Sequence, residues 1–161
     1  MKVLGEFTRR DGAIHRRFTR SERKMIANLA GGLAETLDQA GELDSYEDPV
    51  LLRLLPVAAP DDPDASAEFA SATRERLAGG KAEGARRLVA DLEAAPDGRV
   101  RLDDDEAVVW LKALGDLRLA LAERVGFESL QASHGPQAVI YGWLTWLQGS
   151  LVEALEDRPD A

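Results

Sequence analysis

The residues best suited to bind another molecule are basic side chains near the N-terminus. Residues 1–24 carry eight Lys or Arg against three Asp or Glu, a local net charge of +5, although the chain of 161 residues has a net charge of −9. Guanidinium groups form paired hydrogen bonds with carboxylates and phosphates, so this segment is expected to attract an anionic partner. We predict that the partner is contacted by Arg9, Arg10, Arg16, Arg17 and Arg20.

The surroundings of these arginines indicate what kind of partner they meet. Only Phe7 and Phe18 interleave with them, and no helix-turn-helix with a basic recognition helix is present. Sequence-specific DNA binding by this chain alone is therefore not expected. An acidic protein surface, or DNA already held in a larger complex, is the expected partner, and a solvated basic face without a partner is the alternative.

Catalysis and metal binding have little support in the sequence. Cysteine is absent and only two histidines occur, which excludes thiolate chemistry and Cys-ligated zinc. Ser133 and His134 are adjacent but lack the strand–turn–helix elbow of a nucleophilic serine. The acidic stretch Asp103–Glu106 lacks the spacing of a calcium loop and is better explained as the start of a helix. We predict no enzyme activity, no cofactor and no metal.

Two further features concern the helices. Arg118 projects among apolar side chains, where an unpaired charge is costly, so we predict a structural buried charge held by a carboxylate or by backbone carbonyls. An anion-binding or partner-binding arginine is the alternative. Trp143 and Trp146 lie three residues apart on one helix and are predicted core residues, with an exposed dimer face as the alternative.

Residues 2–18 are predicted to form a β-hairpin. Asp11-Gly12 is typical of a two-residue turn in which both residues have positive φ, and this turn pairs Arg10 with Ala13. A lone hairpin is marginal in water, so we expect it to dock on the rest of the protein. The face turned toward the helices then carries Val3, Phe7, Ile14 and Phe18.

Helical segments are predicted over residues 19–156. The first begins with a capping box at Thr19, in which a Glu follows three residues later. The segments Ala107–Val125 and Ala138–Leu155 have helical period and are rich in Leu and Trp, so we expect them to pack against each other in the core.

Glycine-containing stretches predict interruptions between these helices. Gly79-Gly80 is expected to break or bend the helical pattern of residues 64–94. Ala95–Gly98 predicts a turn, and Arg99–Leu102 a short extended link to the central helix.

Together these patterns predict a mainly α fold, a compact bundle of about five helices with an N-terminal β-hairpin. Residues 1–161 are expected to form a single domain, with the hairpin at 2–18 and the helical bundle at 19–156. No apolar run is long enough for a membrane span, and the first residues lack the apolar region of a signal peptide. A cytoplasmic protein is therefore expected.

Three stretches of the chain carry a family resemblance. They are Leu54–Pro56 with Pro60–Pro63 and Ala67–Phe69, Trp110–Leu121, and Tyr141–Gln148 with Ser150–Val152. They resemble an actinobacterial family catalogued as a domain of unknown function and labelled the oxidative-stress transcriptional regulator (AosR-type) family. The resemblance implies a non-enzymatic regulator that contacts a sigma factor or RNA polymerase. Cysteine redox sensing is associated with that family, and this cysteine-free sequence cannot operate a thiol switch.

The function expected from these observations is regulation through protein–protein contact, in transcription. The alternative is a homodimeric helical adaptor without a direct role in transcription, with Trp143 and Trp146 at its dimer face.

Overall fold

The computed structural model describes residues 5–40, 48–55, 63–126 and 135–158, and for residues 63–70 it describes the backbone alone. In these ranges the chain forms three strands and five helices. The strands are β1 (Thr8–Arg10), β2 (Ala13–Arg17) and β3 (Arg99–Leu102). The helices are α1 (Arg20–Ala40), α2 (Pro49–Leu54), α3 (Pro63–Glu93), α4 (Asp104–Val125) and α5 (Pro136–Glu156). The predicted mainly α fold with an N-terminal hairpin is confirmed.

The hairpin has the turn and register that its sequence predicts. Asp11 and Gly12 have φ values of 54° and 76°, and Arg10 pairs with Ala13. Residues 2–4 of the predicted hairpin lie outside the described residues. The hairpin docks on α5, where Ser150 Oγ accepts a hydrogen bond of 3.3 Å from the backbone N–H of Phe7.

The predicted extended link at Arg99–Leu102 is a third strand. β3 pairs antiparallel with β2 and gives a sheet of order β1-β2-β3. The preceding turn holds β3 in place, because the backbone N–H of Phe18 donates to Gly98 O at 2.8 Å. Gly98 has a φ of 80°, a left-handed conformation that favours glycine.

The break predicted at Gly79-Gly80 is wrong, because α3 continues through both glycines, and the bend given as the other outcome stays a prediction. Two interior glycines each weaken a helix by roughly 1 kcal/mol relative to alanine. Burial of the flanking turns against neighbouring helices outweighs this cost, since Ala78, Ala82 and Leu88 are at most 2% exposed.

Helix starts follow the predicted capping chemistry. The backbone N–H of Glu22 donates to Thr19 Oγ1, and Glu22 in turn accepts from the backbone N–H of Thr19. Asp103 and Glu106 form the same reciprocal arrangement at the start of α4. The acidic stretch before α4 is thus a helix cap.

The core extends over the sheet and the five described helices, and its aromatic centre lies where α4 meets the sheet. α4 and α5 pack against each other as predicted. Trp110 of α4 is fully buried, and its ring centroid is 6.2 Å from that of Phe7 and 5.6 Å from that of Phe18. The indole Nε1 donates to Asp91 Oδ2 of α3 at 2.7 Å, so this aromatic cluster joins sheet, α3 and α4.

Some sequence-based features lie outside the described residues, among them Ser133, His134 and Val3. In the described ranges, none of the helices is long and apolar enough to cross a membrane.

Candidate functional site

The pleat of the hairpin divides the predicted partner-binding arginines into two sets. Successive residues of a strand point to opposite faces. Arg9 pairs with the buried Ile14 and lies on the inner face, and Arg16 lies on that face as well. Arg10 and Arg17 lie on the outer face and are exposed.

Arg16 is held inside the molecule by hydrogen bonds. Its side chain is 3% exposed, and its two terminal nitrogens each lie 3.1 Å from a carboxylate oxygen of Glu22. Its Nε donates to Gly5 O, and Nη1 lies 3.4 Å from Arg17 O. Because these partners already engage the guanidinium, Arg16 is a structural group.

Aromatic rings surround the same guanidinium. The Arg16 Cζ atom lies 4.3 Å from the ring centroid of Phe18, 5.7 Å from that of Trp143 and 6.0 Å from that of Trp146. Cation–π attraction is strongest when the cation is withdrawn from water. Arg16, which was predicted to bind a partner, therefore lies in one cluster with Trp143 and Trp146, which were predicted to form core or a dimer face.

Arg9 is also engaged within the molecule. Its Nη2 lies 2.8 Å from Asp104 Oδ1 at the first turn of α4, and its Nε donates to Ala154 O of α5 at 3.1 Å. The side chain is 9% exposed. Arg9 therefore joins the hairpin to two helices.

The outer surface of the sheet is strongly basic. It carries Arg10, His15, Arg17, Arg99 and Arg101, which we call the basic face. In the register of β2 and β3, Arg17 lies directly opposite Arg99 and His15 lies opposite Arg101. Like charges at directly opposed positions, such as those of Arg17 and Arg99, destabilise a sheet.

Carboxylates contribute little to neutralising the basic face. Among the described residues, the ion pair recorded for it joins Arg99 Nε and Asp97 Oδ2 at 3.5 Å, with side chains 67% and 58% exposed. Arg20 and Lys24 extend the positive charge onto the exposed start of α1. The arrangement is a cationic surface on an acidic protein.

Arg99 and Arg101 were missed by the sequence analysis. The alternation Arg99-Val100-Arg101-Leu102 is the signal that would have found them, because polar and apolar residues at a period of two are typical of a half-buried strand. Val100 and Leu102 are indeed buried. The partner strand is distant in sequence, so the alternation alone does not show which face these arginines join.

A second surface is an open groove between α3 and α4 with a volume of ≈ 580 Å³, which we call the apolar groove. Leu77, Val109 and Leu119 line it and are 41%, 39% and 36% exposed. Arg76 and Lys112 stand at its rim as exposed cations. These side chains suit contact with an apolar surface that carries negative charge at its edge.

An ion pair fixes the helices on both sides of the apolar groove. Lys81 Nζ of α3 lies 2.8 Å from Asp116 Oδ1 of α4, and Asp116 is 7% exposed. Because the buried carboxylate is paired, it serves the packing of α3 on α4.

Arg118 is half-buried between α4 and α5. Its Nη1 donates to Gln148 Oε1 at 2.5 Å, and its Cζ lies 5.2 Å from the ring centroid of Tyr141. Its Nε is buried without a hydrogen-bond partner. The partners recorded for this guanidinium in the described ranges are an amide oxygen and a phenol, where the sequence analysis expected a carboxylate or backbone carbonyls.

The exposed face of α5 is apolar over two turns. Val139 is 65% exposed and Trp146, seven residues later, is 37% exposed. Residues seven apart lie on one face of a helix. Of the predicted dimer face, Trp146 reaches the surface and Trp143 is half-buried, and Val139 was not part of the prediction.

Shifted pKa values occur at two structural ion pairs. Burial raises the pKa of Glu22, but hydrogen bonds from Arg16 and Thr19 and the charge of Arg16 outweigh burial, so the pKa lies below its ordinary value of 4.5. Hydrogen bonding and charge from Asp91 raise the pKa of Arg87, an exposed residue. Within the described ranges, no group of three or more His, Cys, Asp or Glu is arranged to hold a metal ion.

Comparison with known proteins gives a consistent set of relatives. A family model described as "Domain of unknown function (DUF2017)" matches residues 4–155. The "Putative oxidative stress regulator AosR" of Mycobacterium leprae is 36% identical over 138 residues, which cover 73% of this chain and 63% of that protein. The chain therefore spans less than two thirds of that relative.

Longer alignments exist with two other mycobacterial proteins. Proteins named "Oxidative stress regulator AosR" from Mycobacterium bovis and Mycobacterium tuberculosis (strain H37Rv) are each 34% identical over 172 residues, covering 83% of this chain and 78% of the relative. No solved structure shows significant similarity to the chain.

Proposed function

The chain belongs to the DUF2017 family, as its resemblance predicted, and we propose that it is a non-enzymatic regulator that acts by contacting a sigma factor or RNA polymerase. Relatives named oxidative stress regulators support the regulatory role. The shifted pKa values at Glu22 and Arg87 belong to structural ion pairs, which supports a scaffold rather than a catalytic site.

The observation that carries the proposal is the apolar groove. Protein interfaces have an apolar, charge-depleted centre and a polar rim. Leu77, Val109 and Leu119 supply such a centre, and Arg76 and Lys112 supply a cationic rim. An amphipathic helix of the partner, with an apolar stripe and an acidic flank, fits this surface by its chemistry.

Two neighbouring valines of α4 provide a matched test. Val108 and Val109 are both 39% exposed, but only Val109 is among the residues that line the groove. In affinity purification of the tagged protein from its native cells, Val109→Glu should lose sigma-factor or polymerase subunits and Val108→Glu should retain them. Thermal melts of both variants check that the fold is kept.

Two results would contradict this proposal. One is a wild-type purification without any subunit of the transcription machinery. The other is an equal effect of Val108→Glu and Val109→Glu, because a charge at either position would then act through helix stability rather than through the groove.

A second candidate function, a homodimeric adaptor, is favoured by the exposed apolar face of α5. Val139 and Trp146 share this face, and tryptophan is a preferred residue at interface centres. Light scattering at tens of micromolar tests it. Val139→Glu should convert a dimer to a monomer without disturbing Arg16, which contacts Trp146 and not Val139. A wild-type monomer at this concentration would remove the candidate.

A further inference from the structure

We propose that the basic face binds the phosphate backbone of double-stranded DNA without reading its sequence. This inference goes beyond contact with a protein partner, and it uses a surface other than the apolar groove. Its residues are Arg10, His15, Arg17, Arg99 and Arg101.

The chemistry of the face suits phosphate. Four of its five members are arginines, whose planar guanidinium groups bind phosphate oxygens with two parallel hydrogen bonds. Neighbouring strands lie about 4.8 Å apart and alternate residues of one strand about 6.6 Å apart. The cations thus repeat at intervals of about 5–7 Å across the sheet, within reach of several phosphates of a duplex, which carries a charge about every 3.4 Å of helix axis per strand.

The inner and outer arginines of the sheet differ in whether they have a carboxylate partner within the molecule. The inner Arg9 and Arg16 each have a carboxylate partner at 2.8 or 3.1 Å within the molecule. On the outer face Arg17 is placed directly opposite Arg99 instead. A polyanion laid over the face would neutralise this like-charge pair, whereas the ion pairs recorded in the described ranges leave Arg17 unneutralised.

The absence of an exposed apolar side chain distinguishes this face from a protein interface. In the described ranges the exposed large apolar residues all lie on helices. They are Leu52, Leu77, Val108, Val109, Leu119, Val139 and Trp146. Protein interfaces use buried aromatic or aliphatic anchors, and single-stranded nucleic acids bind to stacked aromatic side chains. A face of four arginines and one histidine, without an exposed apolar side chain, fits the outside of a duplex.

The negative charge of the rest of the molecule weakens the attraction between the basic face and DNA. Because the net charge is −9, DNA is repelled by the molecule as a whole and attracted by the sheet. Binding should therefore be weak, dependent on orientation and steeply weakened by salt. It would add to a complex in which a protein partner already brings the chain to DNA.

Fluorescence anisotropy with the full chain and a labelled 20-base-pair duplex tests the proposal. At about 150 mM salt we expect a Kd in the range of about 10⁻⁶–10⁻⁴ M, equal within about twofold for two unrelated sequences, and tighter binding at 50 mM. Neutralisation of about four phosphates gives a slope near −3.6 in log K against log salt.

Charge-reversal variants locate the contact. The double variant Arg17→Glu/Arg101→Glu should weaken binding at least tenfold. The control Arg53→Glu/Arg86→Glu makes the same charge change at exposed, ion-paired positions on α2 and α3. With its fold checked by a thermal melt, it should change Kd by less than threefold. Val109→Glu should leave DNA binding intact, and the double variant should keep the protein partner, so failure of either proposal is recognised separately.

Three results would overturn the inference. The first is no binding of duplex by the wild-type chain at 50 mM salt. The second is an equal loss in the double variant and its control. The third is tighter binding of a poly-glutamate peptide or a single strand than of the duplex at equal salt, which would assign the basic face to an acidic protein or to single-stranded nucleic acid.

Discussion

Neighbouring arginines of one hairpin have opposite roles because the pleat turns them to opposite faces. Arg16 is enclosed by Glu22, Gly5 O and three aromatic rings, whereas Arg10 is exposed beside the turn. Arg16→Leu should lower the free energy of unfolding by about 3 kcal/mol, the low end for a broken buried ion pair, because Glu22 keeps some solvent access. Arg10→Leu should change it by less than about 0.5 kcal/mol.

Urea unfolding of both variants measures the difference. Equal stability of the Arg16 and Arg10 variants would show that the aromatic cluster and the ion pair add nothing to folding. It would also return Arg16 to the set of candidate contact residues.

Glu22 predicts an acid-sensitive contribution to stability. Its pKa in the folded protein lies below the ordinary value of 4.5, so the folded state binds its proton less readily than the unfolded state does. The stabilisation from Glu22 is complete at pH values above 4.5. It is lost as the pH falls through the lower pKa of Glu22 in the folded state. The unfolding free energy of the wild type should therefore fall more steeply from pH 5 to pH 3 than that of Glu22→Gln.

Urea unfolding at pH 7, 5, 4 and 3 checks this slope. Parallel curves for wild type and Glu22→Gln would mean that the carboxylate has the same proton affinity in both states, and that its contacts with Arg16 and Thr19 do not hold the charged form.

The placement of Arg16 was predictable, and that of Arg99 was not. The register fixed by Asp11-Gly12 already places Arg16 between the inward Ile14 and Phe18, so period two alone assigns it to the buried face. For Arg99 the alternation predicts a strand, but the pairing with β2 closes a loop of more than eighty residues. Such a non-local contact leaves no local signal in the sequence.

For helices and strands, features that depend on neighbouring residues in the sequence could be predicted, whereas features that depend on packing between elements could not. The capping boxes at Thr19 and Asp103 depend on residues within one turn and appear as predicted. The break predicted at Gly79-Gly80 failed, because packing along the length of α3 outweighs a propensity term of about 1 kcal/mol per glycine. The apolar groove likewise arises from two helices together and has no counterpart in either sequence segment.

Replacement of glycine by alanine should change the free energy of unfolding in opposite directions at Gly98 and at Gly142. A Cβ on Gly98 would lie 2.2 Å from Phe18 O, and its φ of 80° disfavours other residues. Gly98→Ala should therefore destabilise the protein by about 2 kcal/mol or more, by separating β3 from β2. A Cβ on Gly142 of α5 meets nothing within 4 Å, so Gly142→Ala should stabilise it by about 0.5–1 kcal/mol.

Thermal and urea unfolding of the two alanine variants give the signs directly. Stabilisation by Gly98→Ala would contradict the tight approach of the turn to Phe18. It would also remove the constraint that places Arg99 and Arg101 on the basic face.

The basic face and the exposed apolar surface lie on different parts of the molecule. The basic face lies on the sheet, whereas the exposed large apolar side chains of the described ranges lie on helices. One acidic protein thus presents two surfaces of different chemistry, so it can contact a protein and a polyanion at the same time. This arrangement suits a regulator that works inside a larger complex.

We expect that one substitution on the basic face raises the stability of the unbound protein and lowers its affinity for DNA. Arg17→Thr removes the cation opposite Arg99 and places a good strand former on an exposed strand. The unbound protein should gain about 0.2–1 kcal/mol of unfolding free energy. Its affinity for duplex DNA should fall, because one phosphate contact is lost and the slope of log K against log salt becomes shallower by about 0.9.

Urea unfolding and anisotropy on the same preparation measure both effects. A variant that loses stability and keeps its affinity would show that Arg17 serves the sheet and not a ligand. If the variant gains stability and loses affinity, the repulsion between Arg17 and Arg99 is retained in the native chain for binding, because the isolated fold is better without it.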